Sequence, residues 1–575
     1  MNHVRILDCT LRDGAYLIDK RFGNDTIKGI IDGLLRTHID FIEIGFFQDN
    51  GCGDGKTVFR NSNDAKRFIP EDKKGCEFTV LADFSRYSLE NLDEHDEDGV
   101  DAIRECFFKH ERFDALNASR TIKEKGYKLF IQPVDILGYT DKELLEFLEV
   151  VNEIEPYCIS IVDTFGSMYQ EDLRRVFELI NHNLGADIRV GFHSHNNMQL
   201  SNALSQEFAR MTRGQRKVII DGTISGMGRG AGNTPTELII QYMVDKYNAS
   251  YDIDALLDTI DAYMDNIKYR CSWGYSTEYF VAGAYGAHVN NIAYLSKKSS
   301  IRSKEIRFIL NKIGKEACKR YDYDLLENTY LEMANSEFDD RVNKQRIKKI
   351  LGNRSVLVFA PGNSVDLYLK DIKRFINEFN PVVITINFLH KDIQSDFLYM
   401  SNRRRYQALK DADGFSRVKK IFTSNFAEEE CDDNTIMVSF YNLIKCGWES
   451  IDNSMLMLLR LLSDIGVEDV VLAGFDGYET DPKKRNYLSD SMEILSVGNR
   501  ATEVNKEIAE MLEDFNNSRR NPKMNIRFIT PSRFVNILSE TEKGAIMERK
   551  ANRYLGGGHE VNYTCLPRLR WEVAA

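Results

Sequence analysis

Residues 4–47 read VRILDCTLRDGAYLIDKRFGNDTIKGIIDGLLRTHIDFIEIGFF and contain one strand–helix–strand unit. The segments VRILD and FIEIGFF are short, apolar and rich in β-formers, whereas TIKGIIDGLLRT between them repeats apolar residues at intervals of three and four. Polar residues follow the first strand directly, in LRDG. The stretch therefore predicts a parallel β/α unit with polar side chains where its first strand ends.

The same alternation continues to about Thr223. Six more strand candidates follow: EFTVLADF, DAIRECFF, KLFIQPVD, CISIVDTFG, IRVGFHSH and VIIDGTISG. Eight consecutive units predict a TIM (β/α)8 barrel rather than an open doubly wound sheet, and a barrel carries its chemistry at the ends of its strands. We assign residues 1–300 to the barrel and residues 301–350 to a helical extension packed beside it.

A second α/β domain is predicted for residues 352–535, where the pattern restarts with SVLVFAPGNS. Its few strand signals favour a doubly wound sheet. Gly362, Asn363 and Ser364 form a candidate phosphate loop at the end of its first strand, with a purely structural turn as the alternative. Residues 536–575 show no periodicity, and we assign them as a tail.

The composition excludes several classes of protein. A net charge of -12 over 575 residues disfavours nucleic acid as a partner. The ten cysteines include no CxxC pair, which argues against a zinc knuckle or a disulfide framework. No signal peptide and no apolar stretch of about 18 residues is visible, so we expect a cytoplasmic protein with no membrane partner. Assembly into a homo-oligomer stays open.

Two histidines point to a metal site. His193 and His195 in GFHSHNN lie two apart on one strand and therefore share a face. In a closed barrel the seventh, eighth and first strands are neighbours, so Asp13 and Asn233 should converge on the same mouth. Nitrogen and oxygen ligands with open positions suit a divalent ion such as Mn²⁺ or Mg²⁺ acting as a Lewis acid. The alternative is two ordinary core histidines.

Four motifs in order, LDCTLRDG, IEIGF, GFHSHNN and GMGRGAGN, resemble the DRE-type TIM metallolyases over roughly residues 1–300. This family includes HMG-CoA lyase, isopropylmalate synthase and 4-hydroxy-2-oxovalerate aldolase. The resemblance implies a catalytic Arg12, oriented by Glu43, and a hydroxyl of Thr164 that binds the substrate carboxylate. The metal ligands that it implies are Asp13, His193, His195 and possibly Asn233.

The sequence also departs from the family pattern. After LRDG stand Ala15 and Tyr16, where the aldolases have a histidine two residues after the glycine. Tyr16 is therefore a candidate for proton transfer. The segment FVAGAYGAH resembles an aldolase segment that returns a tyrosine to the mouth, which nominates Tyr285 as general acid or base, with His288 close by. The alternative is that this segment only packs the extension.

The predicted function is a divalent-metal-dependent carbon–carbon lyase or synthase of aldolase type, acting through the pyruvate-like enolate of a small 2-oxo acid. A Claisen-type acyl-CoA condensing enzyme or an HMG-CoA lyase-like enzyme is the first alternative. A metallohydrolase is disfavoured, because amidohydrolases carry HxH on their first strand. The last alternative is a degenerate barrel whose second domain, faintly resembling sialyltransferase-like folds, transfers sugar or binds a nucleotide or nucleotide sugar.

Overall fold

The computed structural model describes residues 3–298, 301–334, 338–426, 430–445, 447–448, 450–481, 484–488, 492 and 500–538. The described residues fall into two compact units. The first unit is Met1–Ser296 with Ser303–Glu327, and the second is Lys297–Arg302 with Asn328–Ala575. Nearly all of the sequence-assigned tail lies outside the described residues. No helix in the described part of the chain is long and apolar enough to cross a membrane.

The first unit is an eight-stranded parallel barrel, which confirms the predicted TIM fold. Its closure is visible at Leu7, which pairs with Phe41 of the second strand and with Asp221 of the eighth. The barrel strands are Val4–Asp8, Phe41–Phe47, Glu77–Asp83, Ala102–Phe107, Lys128–Pro133, Cys158–Asp163, Arg189–Ser194 and Val218–Gly222. A two-residue strand, Val58–Phe59, is added beside the second strand.

Amphipathic helices surround these strands. The helix Asn24–Arg36 buries Ile27, Ile30 and Leu34 against the barrel, as its apolar spacing predicts. The other helices of the ring are Ser62–Ala65, Arg112–Glu124, Asp141–Ile154, Gln170–Asn183, Ser201–Met211 and Thr236–Tyr247. The connection after the third strand is an exception, because it carries only the short turn Leu89–Asn91.

The chain after the barrel is helical, as the sequence predicts. Its helices are Ile253–Thr259, Ile260–Met264, Asp265–Arg270, Thr277–Tyr285, Val289–Ser296, Ser303–Ile313, Lys315–Lys319, Tyr323–Ala334 and Arg341–Leu351. The helices up to Ser296 and the segment Ser303–Glu327 belong to the barrel unit, whereas Lys297–Arg302 and the residues from Asn328 onward belong to the second unit.

The second unit is a seven-stranded parallel sheet with helices. In chain order its strands are Val356–Phe359, Val382–Ile386, Phe397–Met400, Lys419–Thr423, Thr435–Val438, Asp469–Ala473 and Asn525–Phe528. The strand order in space is 5-4-3-2-1-6-7, so the direction of winding reverses between the first and sixth strands. Its described helices are Ser364–Leu367, Leu369–Phe379, Arg403–Leu409, Ser454–Asp464, Ala501–Ser518 and Val535–Leu538.

Candidate metal centre and active site

Asp13, His193 and His195 meet at the mouth of the barrel. His193 Nε2 lies 3.2 Å from Asp13 Oδ2, and His195 Nε2 lies 3.8 Å from the same oxygen. One ligand atom from each residue falls within 4.8 Å of the other two. The strands explain this convergence. The seventh strand carries His193 near its end and leads into His195, and the eighth strand pairs it to the first, which leads into Asp13.

Asp13 and His193 also belong to a closed ring of buried charged groups. Arg12 donates to Asp13 Oδ2 over 2.6 Å and to Glu43 Oε2 over 2.7 Å. Arg104 donates to the same Glu43 oxygen over 3.0 Å and to Asp221. His193 Nδ1 lies 3.0 Å from Asp221 Oδ2 and completes the ring. The three carboxylates and two guanidiniums of the ring carry one excess negative charge, which favours a cation at this position. Burial lowers the pKa of His193, but Asp13 and Asp221 outweigh this effect and raise it.

The buried oxygen atoms fit a metal ion. Asp13 Oδ1 and Asn233 Oδ1 are both buried acceptors without a hydrogen-bond partner. Such orphaned acceptors are costly unless a ligand or water satisfies them. Asn233 pairs its backbone with His195, and its Nδ2 donates to Met227 O over 3.1 Å. Gly228 leaves room for this amide, because a Cβ at that position would overlap the Asn233 side chain.

The protonation states also suit ligation. Burial lowers the pKa of His195 to about 3, which keeps its imidazole neutral at physiological pH. Burial alone would raise the pKa of Asp13, but Arg12 and the two histidines hold it well below its ordinary value. A neutral imidazole and an ionised carboxylate are the forms that bind divalent metals.

Arg12 and Glu43 form the predicted pair, with both side chains buried. Nε and Nη1 of Arg12 are engaged by Glu43 and Asp13, whereas Nη2 makes no hydrogen bond with any residue that the structure describes. The guanidinium is thus fixed in orientation with one nitrogen left to donate to a bound oxygen.

Thr164 lies directly after the sixth strand, Cys158–Asp163. The backbone N–H of Asp135 donates to Thr164 Oγ1 over 2.8 Å. This bond uses an acceptor position of the oxygen, so the hydroxyl hydrogen stays available for a carboxylate.

Tyr16 lies near Arg12 and under a second arginine. The Cζ of Arg229 is 4.0 Å from the centroid of the Tyr16 ring. Burial raises the pKa of the Tyr16 hydroxyl, although the charges of Arg229 and Arg12 oppose this effect. A raised pKa suits a proton donor rather than a phenolate base.

Tyr285 and His288 are separated by the end of a helix. The helix Thr277–Tyr285 ends at the left-handed Gly286, and Tyr285 Oη accepts hydrogen bonds from Arg307 over 3.1 Å and Asn311 over 3.2 Å. Tyr285 is therefore held within the extension. Burial lowers the pKa of His288 to about 3, and the charges of Arg229 and His195 add to this effect. His288 is thus the residue of this segment that lies near the metal ligands.

Comparison with known proteins identifies the barrel. Residues 110–262 match the family model described as HMGL-like. This part of the barrel is similar to the HMGL-like family. This match agrees with the resemblance predicted from the four motifs.

Proteins similar to this chain carry lyase and aldolase names. An oxaloacetate decarboxylase of Mycobacterium tuberculosis is 26% identical over 259 residues, 44% of this chain and 74% of the relative. A 4-hydroxy-2-oxovalerate aldolase of Thermomicrobium roseum is 29% identical over 266 residues, 45% of this chain and 71% of the relative. The solved HMG-CoA lyase of Bacillus subtilis aligns with a TM-score of 0.37 and 19% identity, over 46% of this chain and 94% of that one.

These findings support a metal-dependent lyase or aldolase, as the sequence predicts. HMGL-like aldolases depend on a divalent metal, and the described residues include the triad that could hold one. The sialyltransferase-like resemblance of the second domain gains no support from the comparisons.

Three residues of the site escaped the sequence analysis: Asp221, Arg104 and Arg229. Asp221 in VIIDG and Arg104 in AIREC are charged residues inside apolar barrel strands, and that pattern was the available signal. A charge in such a strand must find a partner inside the barrel, because burying it alone is costly.

The predicted phosphate loop of the second unit lies where the sheet changes direction. The backbone N–H of Ser364 donates to Asp476 Oδ2 over 2.8 Å, and the Ser364 hydroxyl donates to the other oxygen of the same carboxylate. A Cβ on Gly362 would also contact Asp476. In this structure an internal carboxylate therefore occupies the Ser364 donors that a phosphate would need.

Proposed function

We propose that the first unit is an aldolase-type carbon–carbon lyase that acts through the enolate of a pyruvate-like 2-oxo acid with Mn²⁺ or Mg²⁺. The observation that carries this proposal is the convergence of Asp13, His193 and His195 beside Arg12, whose Nη2 is left to donate. Such a site joins a metal position and a fixed cationic donor at one point, which is what a developing enolate oxygen requires.

The chain's own residues would bind and orient the 2-oxo acid. Thr164 donates a hydrogen bond from its hydroxyl to the substrate carboxylate, and Arg12 donates one from Nη2 to the 2-oxo oxygen. Glu43 holds the guanidinium of Arg12 in place through Nε. A divalent cation held by Asp13, His193 and His195, with Asn233 Oδ1 as a further ligand, would supply Lewis-acid polarisation of the same oxygen.

Cleavage of a 4-hydroxy-2-oxo acid then proceeds in the following steps. The 4-hydroxyl loses its proton to a base, C4 becomes an aldehyde carbon, and the electron pair of the C3–C4 bond becomes the enolate. Protonation of C3 gives pyruvate. We assign a proton-donating role to Tyr16, whose raised pKa keeps its proton in place. Tyr285, which Arg307 and Asn311 hold within the extension, is the control tyrosine for this assignment.

A second candidate is decarboxylation of a 2-oxo diacid such as oxaloacetate. Carbon dioxide then leaves with no proton to remove, and the same enolate results. The observation that favours it is that neither nominated tyrosine is placed and prepared as a base. Burial raises the pKa of Tyr16. The hydrogen bond from Arg307 lowers the pKa of Tyr285, but it also holds Tyr285 Oη within the extension.

The test is pyruvate release, followed by a coupled reductase, from a 4-hydroxy-2-oxo acid and from oxaloacetate. We expect release that EDTA abolishes and that Mn²⁺ or Mg²⁺ restores. Tyr16→Phe should slow aldol cleavage more than decarboxylation, and Tyr285→Phe should affect neither strongly. Release that persists at the same rate above the uncatalysed background in EDTA would contradict a metal-dependent site.

A further inference from the structure

Arg229 differs from the other arginines at this end of the barrel. Arg12 and Arg104 each contact two carboxylates. Arg229 has no carboxylate within ion-pair distance among the described residues, and its buried Nε lacks any hydrogen-bond partner. Its one directional contact is with the face of Tyr16, 4.0 Å from the ring centroid. The guanidinium is thus held in place without being neutralised.

Lys20 is a second cation at the same aromatic ring. Its Nζ lies 5.7 Å from the centroid of Tyr16 and 4.5 Å from that of Phe46. Its hydrogen-bond partner is the neutral amide oxygen of Gln48, at 2.7 Å. Two cations therefore approach Tyr16, and neither forms an ion pair in the described part of the chain.

Such an arrangement is costly unless an anion joins it. Like charges repel more strongly in partly buried surroundings than in water, and an unpaired guanidinium nitrogen loses its hydration. Burial lowers the pKa of Lys20 to about 8. The positive charge of Arg86 adds to this effect, the exposed carboxylate of Asp19 opposes it, and Lys56 and Arg229 add to it further. A bound anionic group would offset both penalties.

The position of Arg229 relates this anion to the substrate. The Tyr16 ring that Arg229 covers belongs to a residue three positions after Asp13, a candidate metal ligand. Arg229 belongs to the glycine-rich loop 226–233, which also supplies Asn233. The unpaired cation therefore stands beside the metal position, whereas Arg12 already serves the enolate oxygen.

We propose that Arg229, assisted by Lys20, binds an anionic group on the half of the substrate that leaves as the aldehyde. The substrates would then be 2-oxo acids whose far end carries a carboxylate or a phosphate. This inference rests on the proposed aldolase function and adds the chemical class of its second product.

The kinetic test compares three 4-hydroxy-2-oxo acids in the full chain with Mn²⁺: one ending in a methyl group, one in a carboxylate and one in a phosphomonoester. We expect kcat/KM to be higher for an anionic substrate, and the two anionic arms distinguish carboxylate from phosphate. In Arg229→Met the ratio of kcat/KM for the anionic substrate to that for the methyl-ended substrate should fall about ten- to one-hundred-fold, the usual effect of losing a charge-assisted contact. Arg229→Lys should restore part of it.

A matched control is Arg213→Met. Arg213 also lies over an aromatic ring, 5.6 Å from the centroid of Tyr247, but its side chain is exposed and outside the site. The preference for anionic substrates should be unchanged in this variant. Equal loss of kcat/KM for all three substrates in Arg229→Met would mean that Arg229 serves the pyruvate half, and the inference would fall.

A binding test does not depend on turnover. Inorganic phosphate is titrated by calorimetry into the full chain with Mn²⁺ and saturating oxalate, a planar mimic of enolpyruvate. We expect binding that Arg229→Met weakens about ten-fold or more and that Arg213→Met leaves unchanged. Unaltered or undetectable phosphate binding, together with no kinetic preference, would overturn the inference. Pyruvate proton exchange, measured separately, reports whether the proposed function itself holds.

Discussion

Asp221 Oδ2 lies 3.0 Å from Nδ1 of His193, while Nε2 of the same ring faces Asp13 at 3.2 Å. The eighth strand thus places a carboxylate behind a candidate metal ligand on the seventh. This contact favours the tautomer that carries hydrogen on Nδ1 and leaves Nε2 with a lone pair for the metal. Arg104 contacts Asp221 in turn, so the orientation of His193 depends on the whole ring of charges.

Replacing Asp221 by Asn tests this positioning role. The variant keeps the shape of the side chain but removes the charge that orients and polarises His193. We expect the affinity for Mn²⁺ to fall about 10–100-fold, as is usual when the partner of a metal-bound histidine is lost. Calorimetric titration of the metal-free protein measures it. Asp187→Asn, an exposed carboxylate that precedes the seventh strand, should bind Mn²⁺ like the wild type.

Replacing Arg12 by Lys tests the cationic donor. An ammonium cannot maintain the contacts to Glu43 and Asp13 and also present a fixed third donor. We expect exchange of pyruvate methyl protons with D₂O to slow by about 10²–10³-fold, while the fold persists. Arg36→Lys, on the exposed face of the helix Asn24–Arg36, is the control. Exchange at the wild-type rate in Arg12→Lys would remove Arg12 from the mechanism.

Glu105 gives the first unit a pH-dependent stability that is independent of the metal site. Burial raises the pKa of this carboxyl to about 8, from an ordinary value of 4.5, with a smaller opposing effect from Ser119. The folded chain therefore binds this proton more tightly than the unfolded chain. As pH rises from about 4.5 to about 8, stability should decrease, because the carboxylate that is ionised in the unfolded chain must take up a proton on folding.

The variant Glu105→Gln removes this penalty. Its free energy of unfolding should match that of the wild type near pH 4.5 and exceed it by a few kcal/mol above pH 8, since a tenfold change in proton affinity is worth about 1.4 kcal/mol. Urea unfolding at several pH values measures the difference. Glu124→Gln, at an exposed position of the helix Arg112–Glu124, should show no such trend. A difference that is constant with pH would contradict the assignment.

The barrel and the metal triad could be predicted from sequence because they depend on local patterns. Each of the eight strand segments could be recognised from its composition. Closure of the barrel then places Asp13 near His193 and His195. The pairing of Arg12 with Glu43 was implied by the resemblance to the metallolyases, and the neighbouring first and second strands agree with it. In the second unit few strand signals were visible in the sequence, because runs such as TIMV and NIRF are too short to show a period.

The remaining site residues depend on tertiary packing that no short pattern encodes. Asp221 lies on the eighth strand and Arg104 on the fourth, on opposite sides of the barrel. Their side chains meet only because the barrel closes. Tyr285 and His288 are three residues apart, yet the helix that ends at Tyr285 separates their surroundings. Arg229 looked like part of a glycine loop, and its position over Tyr16 became visible only in the folded chain.

The most direct test of the whole account is exchange of pyruvate methyl protons with D₂O, followed by proton NMR on the full chain. It needs no knowledge of the second product, because enolisation alone is observed. We predict exchange with Mn²⁺ or Mg²⁺ present, none above background in EDTA, and recovery when the metal is returned. His193→Ala should lose both Mn²⁺ binding and exchange. Exchange that is absent from the metal-loaded wild type, or that His193→Ala retains, would contradict a metal-dependent enolate site in this barrel.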